Sequence, residues 1–250
     1  MKPFKTVLTL VLTMFLTLNL AAYQKMYLVH QDNVKPSMLN QYEETSKEFI
    51  TASTKHNLQT SWITVSTSNL NYFYLTPIKN FAELDVDPFA DMAKAMGDDF
   101  SKLFKKFNAC YDTHGSYIIS LNEKLSYMPE NESSSSEDEN YLDFLYLYYT
   151  PSNAEKIREN ISAVKDMFTS KKSKNYYRIY QGVFGQLENY YLVVISSKDE
   201  IDSATKSINN KEVLGPERIE TFRKLLKYTS RIEEYTGQMR PDLYYFSNKQ

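Results

Sequence analysis

The chain has 250 residues, with 29 Lys and Arg against 31 Asp and Glu, for a formal charge of −2. Its 6 Gly fall well below the roughly 17 that average usage would supply, which excludes collagen-like and low-complexity classes. One Cys excludes a disulfide scaffold, three His argue against a multi-metal site, and near-neutral charge gives no electrostatic ground for a nucleic-acid partner.

Lys2 and Lys5 precede an apolar run over residues 7–18 broken only by Thr, and the small residues Ala21 and Ala22 follow. This is the layout of a secretory signal peptide, with cleavage expected after Ala22. The run is too short for a transmembrane helix, which needs about 20 apolar residues. An exported protein, periplasmic or secreted and without a membrane span after cleavage, is therefore expected. No Cys lies near the cleavage site, so the leader is not of the lipoprotein type.

Residues 26–33 read as a strand. Pro36 then opens a helix to about Lys55, with Met38, Leu39, Tyr42, Phe49 and Ile50 near helical spacing. Residues 60–67 are β-branched and alternating, the 66–69 turn follows, and 71–78 returns as the second arm of a hairpin. A helical region carries Phe89, Met92, Met96, Phe100, Phe104 and Phe107 on one face, with a break expected at Gly97-Asp98. Residues 117–121 close this half as a strand.

The segment PENESSSSEDEN at 129–140 holds five acids, no base and almost no apolar side chain, and is expected to be a solvated linker. It separates modules at 23–128 and 141–250. In the second, 142–150 is a strand, 151–170 a helix, 176–183 and 190–196 a hairpin, 216–232 a helix and 234–239 a strand. A shift of 118 places Asn71-Tyr72-Phe73 on Asn189-Tyr190-Tyr191, Met96-Gly97 on Leu214-Gly215, Phe104 on Phe222 and Tyr117 on Tyr235. At the module starts the shift is 115, setting Pro36-Ser37 on Pro151-Ser152. A three-residue indel before the second strand would account for the difference, and the chain reads as an internal duplication.

Each half is thus β-α-β-β-α-β, the ferredoxin-like arrangement, and the fold class is α+β. Such a module covers one sheet face with helices and leaves the other bare. The strands are unusually aromatic, so two sheets packing face to face within one chain would cover both, and a monomer suffices. This layout resembles the dimeric α/β-barrel superfamily over residues 26–245, and within it tandem NIPSNAP-like and antibiotic-biosynthesis-monooxygenase-like proteins. It is also similar to exported bacterial proteins. The resemblance implies an intrachain pseudo-dimeric α/β barrel. It also implies a choice among cofactor-independent oxygenases, haem-active enzymes, isomerases and non-catalytic members.

Phosphate-loop, dinucleotide, zinc-protease and serine-hydrolase motifs are absent from the sequence. In a ferredoxin-like sheet the first and fourth strands are neighbours, so His30 and Asp32 should approach Asp112 and His114. Two His and two carboxylates suffice for a metal or an acid/base pair, and His30 and His114 are the candidate catalytic residues. A solvated polar sheet end is the simpler account, and no metal or cofactor is assigned. Trp62, Tyr72, Tyr74, Tyr146 and Tyr180 are the candidate ligand-binding residues, facing a small hydrophobic or aromatic molecule in the interior. Arg178 could meet an anionic ligand, with a surface or linker salt bridge as the simpler account. Cys110 continues an apolar stripe and reads as a buried hydrophobe. A non-catalytic envelope interaction module with a filled core is the third expectation.

Overall fold

The computed structural model describes residues 25–128 and 138–248; the leader at 1–22 and most of the linker lie outside the described residues. The first half consists of β1 (Met26–Val34), α1 (Leu39–Lys55), β2 (Ile63–Thr67), β3 (Asn71–Ile78), α2 (Ala90–Met96), α3 (Asp98–Cys110) and β4 (Tyr111–Leu121). The second half consists of β5 (Tyr141–Tyr149), α4 (Ala154–Ser170), β6 (Arg178–Phe184), β7 (Asn189–Ser197), α5 (Glu200–Leu214), α6 (Glu217–Leu226) and β8 (Arg231–Met239). The proline that was expected to start the first helix of each half instead sits in a short 3-10 turn, at Pro36–Met38 and Pro151–Asn153. No helix among the described residues is long and apolar enough to cross a membrane.

The eight strands close into one antiparallel barrel in the order β1-β3-β2-β8-β5-β7-β6-β4. Two seams join the halves. Val65, Ser66 and Thr67 pair with Met239, Gln238 and Gly237, and Ile118–Leu121 of β4 pairs with β6 across a bulge. The seams are equivalent, since each joins the second strand of one half to the last strand of the other. Closure removes the free sheet edges that a lone module would expose. At the first seam the backbones approach so closely that a Cβ on Gly237 would lie 2.5 Å from the Ser66 carbonyl oxygen.

Each half also reaches into the other. After β8 the chain turns through Leu243 and bridges Tyr245 to Trp62. After β4 it turns through Leu125 and bridges Tyr127 to Tyr177. Leu243 joins the first half's helix–sheet core, and Leu125 joins the second's. Trp62 and Tyr177 are related by the shift of 115, and Tyr127 and Tyr245 by 118, so the exchange of arms is itself duplicated.

Three expectations need correction. The offset changes after the second strand and not before it, because Trp62 and Tyr177 still match at 115. In the third strand the structural offset is 119, with Tyr74 opposite His30 and Val193 opposite Leu145. The sequence match at 118 therefore joins residues on opposite faces, since a one-residue slip inverts a strand. Finally, the expected helix at 216–232 ends at Leu226, Ile232 belongs to β8, and α5 precedes it. α5 buries only Leu214 and so carries little apolar periodicity to reveal it. Gly97 and Gly215 break the helical regions at matching points with φ of +57° and +70°, where glycine is the least strained residue.

Candidate functional site

Strand alternation gives the barrel an inner and an outer face. The lumen encloses a cavity of about 660 Å³. Its walls are apolar at mid-height, from residues such as Val65, Leu75, Ile119, Phe144, Leu192 and Val194. Lys25, Glu123, Glu139 and Arg178 stand at one end. Phe73, Tyr117, Tyr146 and Tyr190 form a layer at the other, shared with a second cavity of about 320 Å³ that reaches Gln31, Gln186, Glu188 and Glu233.

The lumen tyrosines are held neutral. Burial pushes the Tyr180 and Tyr190 phenols up to about 12, and raises Tyr117 and Tyr146 well above the ordinary range. They are hydrogen-bonding hydroxyls at neutral pH, not phenolate bases. Tyr117 donates to the Gln31 side chain at 3.2 Å, and Tyr148 and Tyr235 both donate to Glu233. Arg231 lies 3.9 Å over the Tyr148 ring and ion-pairs with Glu188 and Glu233, so that mouth is cross-braced. At the other end Lys25 pairs with Glu123 and Lys206 with Glu139. Arg178 Nη2 is buried and has no hydrogen-bond partner among the described residues.

Of the five residues expected to line the interior, Tyr146 and Tyr180 do. Trp62, Tyr72 and Tyr74 do not line it, because the inward residues of the first hairpin are Ile63, Val65, Phe73 and Leu75. Trp62 is buried outside the barrel, donates to the Leu243 carbonyl at 3.1 Å and stacks on Phe49. Tyr72 hydrogen-bonds Glu43 beside Arg240, and Tyr74 faces α1. Tyr117, Tyr190 and Tyr27 occupy the lumen instead. Their inward facing depends on strand register, which single-sequence alternation leaves open by one residue.

The second constellation lies on the outer face of the first half. Asp32 on β1 stands opposite His114 on β4, and His30 stands opposite Ser116. Two residues apart on neighbouring strands, these four form a block on one face. One donor atom from each of His30, Asp32 and His114 lies within 4.8 Å of the others, and the two imidazole centroids are 5.5 Å apart. His30 Nε2 is 3.2 Å from Asp32 Oδ1, and His30 Nδ1 is 2.9 Å from Ser116 Oγ. Asp32 is only 3% exposed. Its Oδ2 accepts from the Tyr42 hydroxyl at 2.6 Å, and Tyr42 in turn meets Tyr74 at 2.8 Å. Burial, with Tyr74 and Asp32 beside it, raises the Tyr42 phenol far above its ordinary value, so Tyr42 is the donor.

The expected approach of His30 and Asp32 to His114 is therefore present, but Asp112 is not part of it. Asp112 is exposed and pairs with Lys35 at 3.1 Å. Cys110 is buried, its thiol directed at the Lys106 carbonyl oxygen, and burial raises its pKa, which leaves no nucleophile there. Haem, which the resemblance admits, does not fit the corresponding cleft of the second half. Leu147, Ile157, Ile161 and Phe168 close that interface, and no histidine occurs in the half.

No family model and no curated protein matches the chain. Solved structures do. An anthrone oxidase-like protein aligns at TM-score 0.58 and 10% identity, covering 88% of this chain and 93% of the other. A candidate monooxygenase from Fusobacterium nucleatum aligns at 0.55 and 10%, covering 87% and 93%. A chlorite dismutase variant from Candidatus Nitrospira defluvii aligns at 0.50 and 7%, covering 87% and 92%. At such identities the likeness is one of fold. The chain has the fold of the dimeric α/β-barrel superfamily, with both halves of the barrel in one polypeptide.

Proposed function

We propose that the protein is exported and that its lumen binds a small apolar or aromatic molecule bearing one anionic group. The observation that carries this reading is the tyrosine-capped cavity of about 660 Å³. That volume is within the range of small-molecule sites, which pair apolar walls with a few convergent polar groups. Neutral phenols supply hydrogen bonds without charge. Arg178 supplies the charge: the other cations at that end are paired with carboxylates, whereas its Nη2 lacks a partner among the described residues. A carboxylate, sulfonate or similar group would satisfy it.

A catalytic reading rests on a different place. His30 and His114 lie on the outer face of the sheet, across the wall from the lumen tyrosines, so they cannot act on a lumen ligand. An enzyme of this chain would work at the helix-side cleft. The anthrone oxidase-like and monooxygenase-named structures of the same fold motivate testing it.

Native mass spectrometry of protein recovered from the exported fraction tests the main reading. The expected result is loss of residues 1–22 and a retained apolar anion, released on denaturation and absent from Arg178→Gln. Cytoplasmic protein of full mass would refute export. An empty lumen that takes up no small aromatic acid at saturation would refute binding.

A further inference from the structure

We propose that His30, Asp32 and His114 bind a divalent transition-metal cation on the outer face of the first half, independently of the lumen. The two halves share one fold, so the second shows what the first requires structurally. The positions of Asp32 and His114 are taken there by Leu147 and Ile232, which pair in the same register. The positions of Tyr42 and Ser46 on α1 are taken on α4 by Ile157 and Ile161, which are fully or nearly fully buried. At these four positions the second half builds the same interface with aliphatic side chains alone. The first half instead buries a carboxylate and a chain of hydroxyls, an arrangement that costs stability unless every member is satisfied.

One member is not satisfied. Asp32 Oδ1 is buried and accepts no hydrogen bond, although His30 Nε2 lies only 3.2 Å away. His30 Nδ1 lies 2.9 Å from Ser116 Oγ, and in the tautomer that carries its proton on Nδ1 the Nε2 lone pair faces the carboxylate oxygen. A ring nitrogen and a carboxylate oxygen 3.2 Å apart match adjacent ligands of a tetrahedral ion, whose edges are about 3.3 Å for bonds of about 2.0 Å. His114 is exposed, and its donor lies within 4.8 Å of the other two, so turning its ring completes a third ligand. The supports are those that metal ligands use: Ser116 Oγ holds the far nitrogen of the His30 ring, and the Tyr42 hydroxyl donates to the carboxylate of Asp32. Two imidazoles and one carboxylate suit Zn²⁺, Fe²⁺ or Co²⁺ better than Mg²⁺ or Ca²⁺. Three protein ligands leave a coordination position for water or substrate.

The test uses tag-free protein titrated calorimetrically with ZnCl₂ and optically with CoCl₂, with magnesium present in excess. The expected result is one ion per chain, with cobalt d–d bands of a low-coordinate site. His114→Ala is expected to weaken binding by at least about tenfold, and His30→Ala with His114→Ala to abolish it. Both variants should keep the metal-free melting temperature, because His114 is exposed and His30 half-exposed. Absence of binding at millimolar zinc would overturn the proposal. So would equal affinity in the double variant, which would place the ion on scattered surface carboxylates.

Discussion

Trp62 and Tyr245 form an antiparallel bridge between the first half and the chain's last described turn, with ring centroids 4.9 Å apart. The Trp62 indole also donates to the Leu243 carbonyl, and the Tyr245 hydroxyl donates to the carbonyls of Ser53 and Leu58. The C-terminal arm therefore acts as a strap across the α1 side of the first half. Leu243, fully buried, is its anchor. Leu243→Ala should cost about 2–5 kcal/mol in urea unfolding, with a red shift of the single tryptophan's emission. An unchanged midpoint would mean that the strap contributes nothing.

Barrel closure makes its own prediction at Gly237. A methyl group there would meet the Ser66 carbonyl oxygen and the Phe144 ring. Gly237→Ala should destabilise by about 1–3 kcal/mol or more, and hydrogen exchange should rise first along Val65–Thr67. Gly115, which has open space around its Cβ position, serves as the control, and Gly115→Ala should change neither quantity.

The buried polar network of the first half should cost stability, not provide it. Tyr42→Phe leaves Asp32 Oδ2 without its donor and should destabilise by about 1–3 kcal/mol. Replacing the network as a unit with the second half's residues (Asp32→Leu, Tyr42→Ile, Ser46→Ile and Tyr74→Val) should be neutral or stabilising in thermal melts. A large loss in the combined variant would show that the network belongs to the fold.

High pH should unfold the protein through its tyrosines. Tyr180, Tyr190 and Tyr191 are raised by burial to about 12 in the folded chain, against about 10 when unfolded. Their stabilising effect is complete below pH 10 and is lost as pH rises towards 12, because the unfolded chain releases these protons first. Each contributes a slope of about 1.4 kcal/mol per pH unit in that window. Absorbance at the phenolate band should rise together with the loss of ellipticity. Smooth titration of these phenols near pH 10 in folded protein would contradict the burial.

The architecture was legible because duplication made each half a check on the other. Pro36 and Pro151, Gly97 and Gly215, and Tyr117 and Tyr235 recur at nearly constant spacing, and they mark element order. Facing was less legible. Tyr72 and Tyr74 read as interior because aromatic strands need cover, but cover is available on both faces, and one residue of register sends them under α1. Trp62 left the lumen for the same reason. The approach of His30 to His114 followed from strand adjacency alone. The roles of Tyr42 and Ser116 could not be read that way, since they depend on which face of α1 turns inward and on the β1–β4 register. The helix α5 lacked a buried stripe, and so it carried no periodic signal.

The role proposed for the lumen is that of a binding site and not of a packed core. The most direct measurement is a fluorescence titration with 2-naphthoate, a small aromatic carboxylate, on the wild-type chain and on Leu192→Trp. Leu192 lines the cavity at mid-height, so the larger indole fills it while the outer helix–sheet cores stay intact. Saturable binding by the wild type, weakened at least about tenfold, or about 1.4 kcal/mol, in a Leu192→Trp protein of unchanged fold is the predicted result. Absence of saturable binding, or equal affinity in the filled variant, would contradict it.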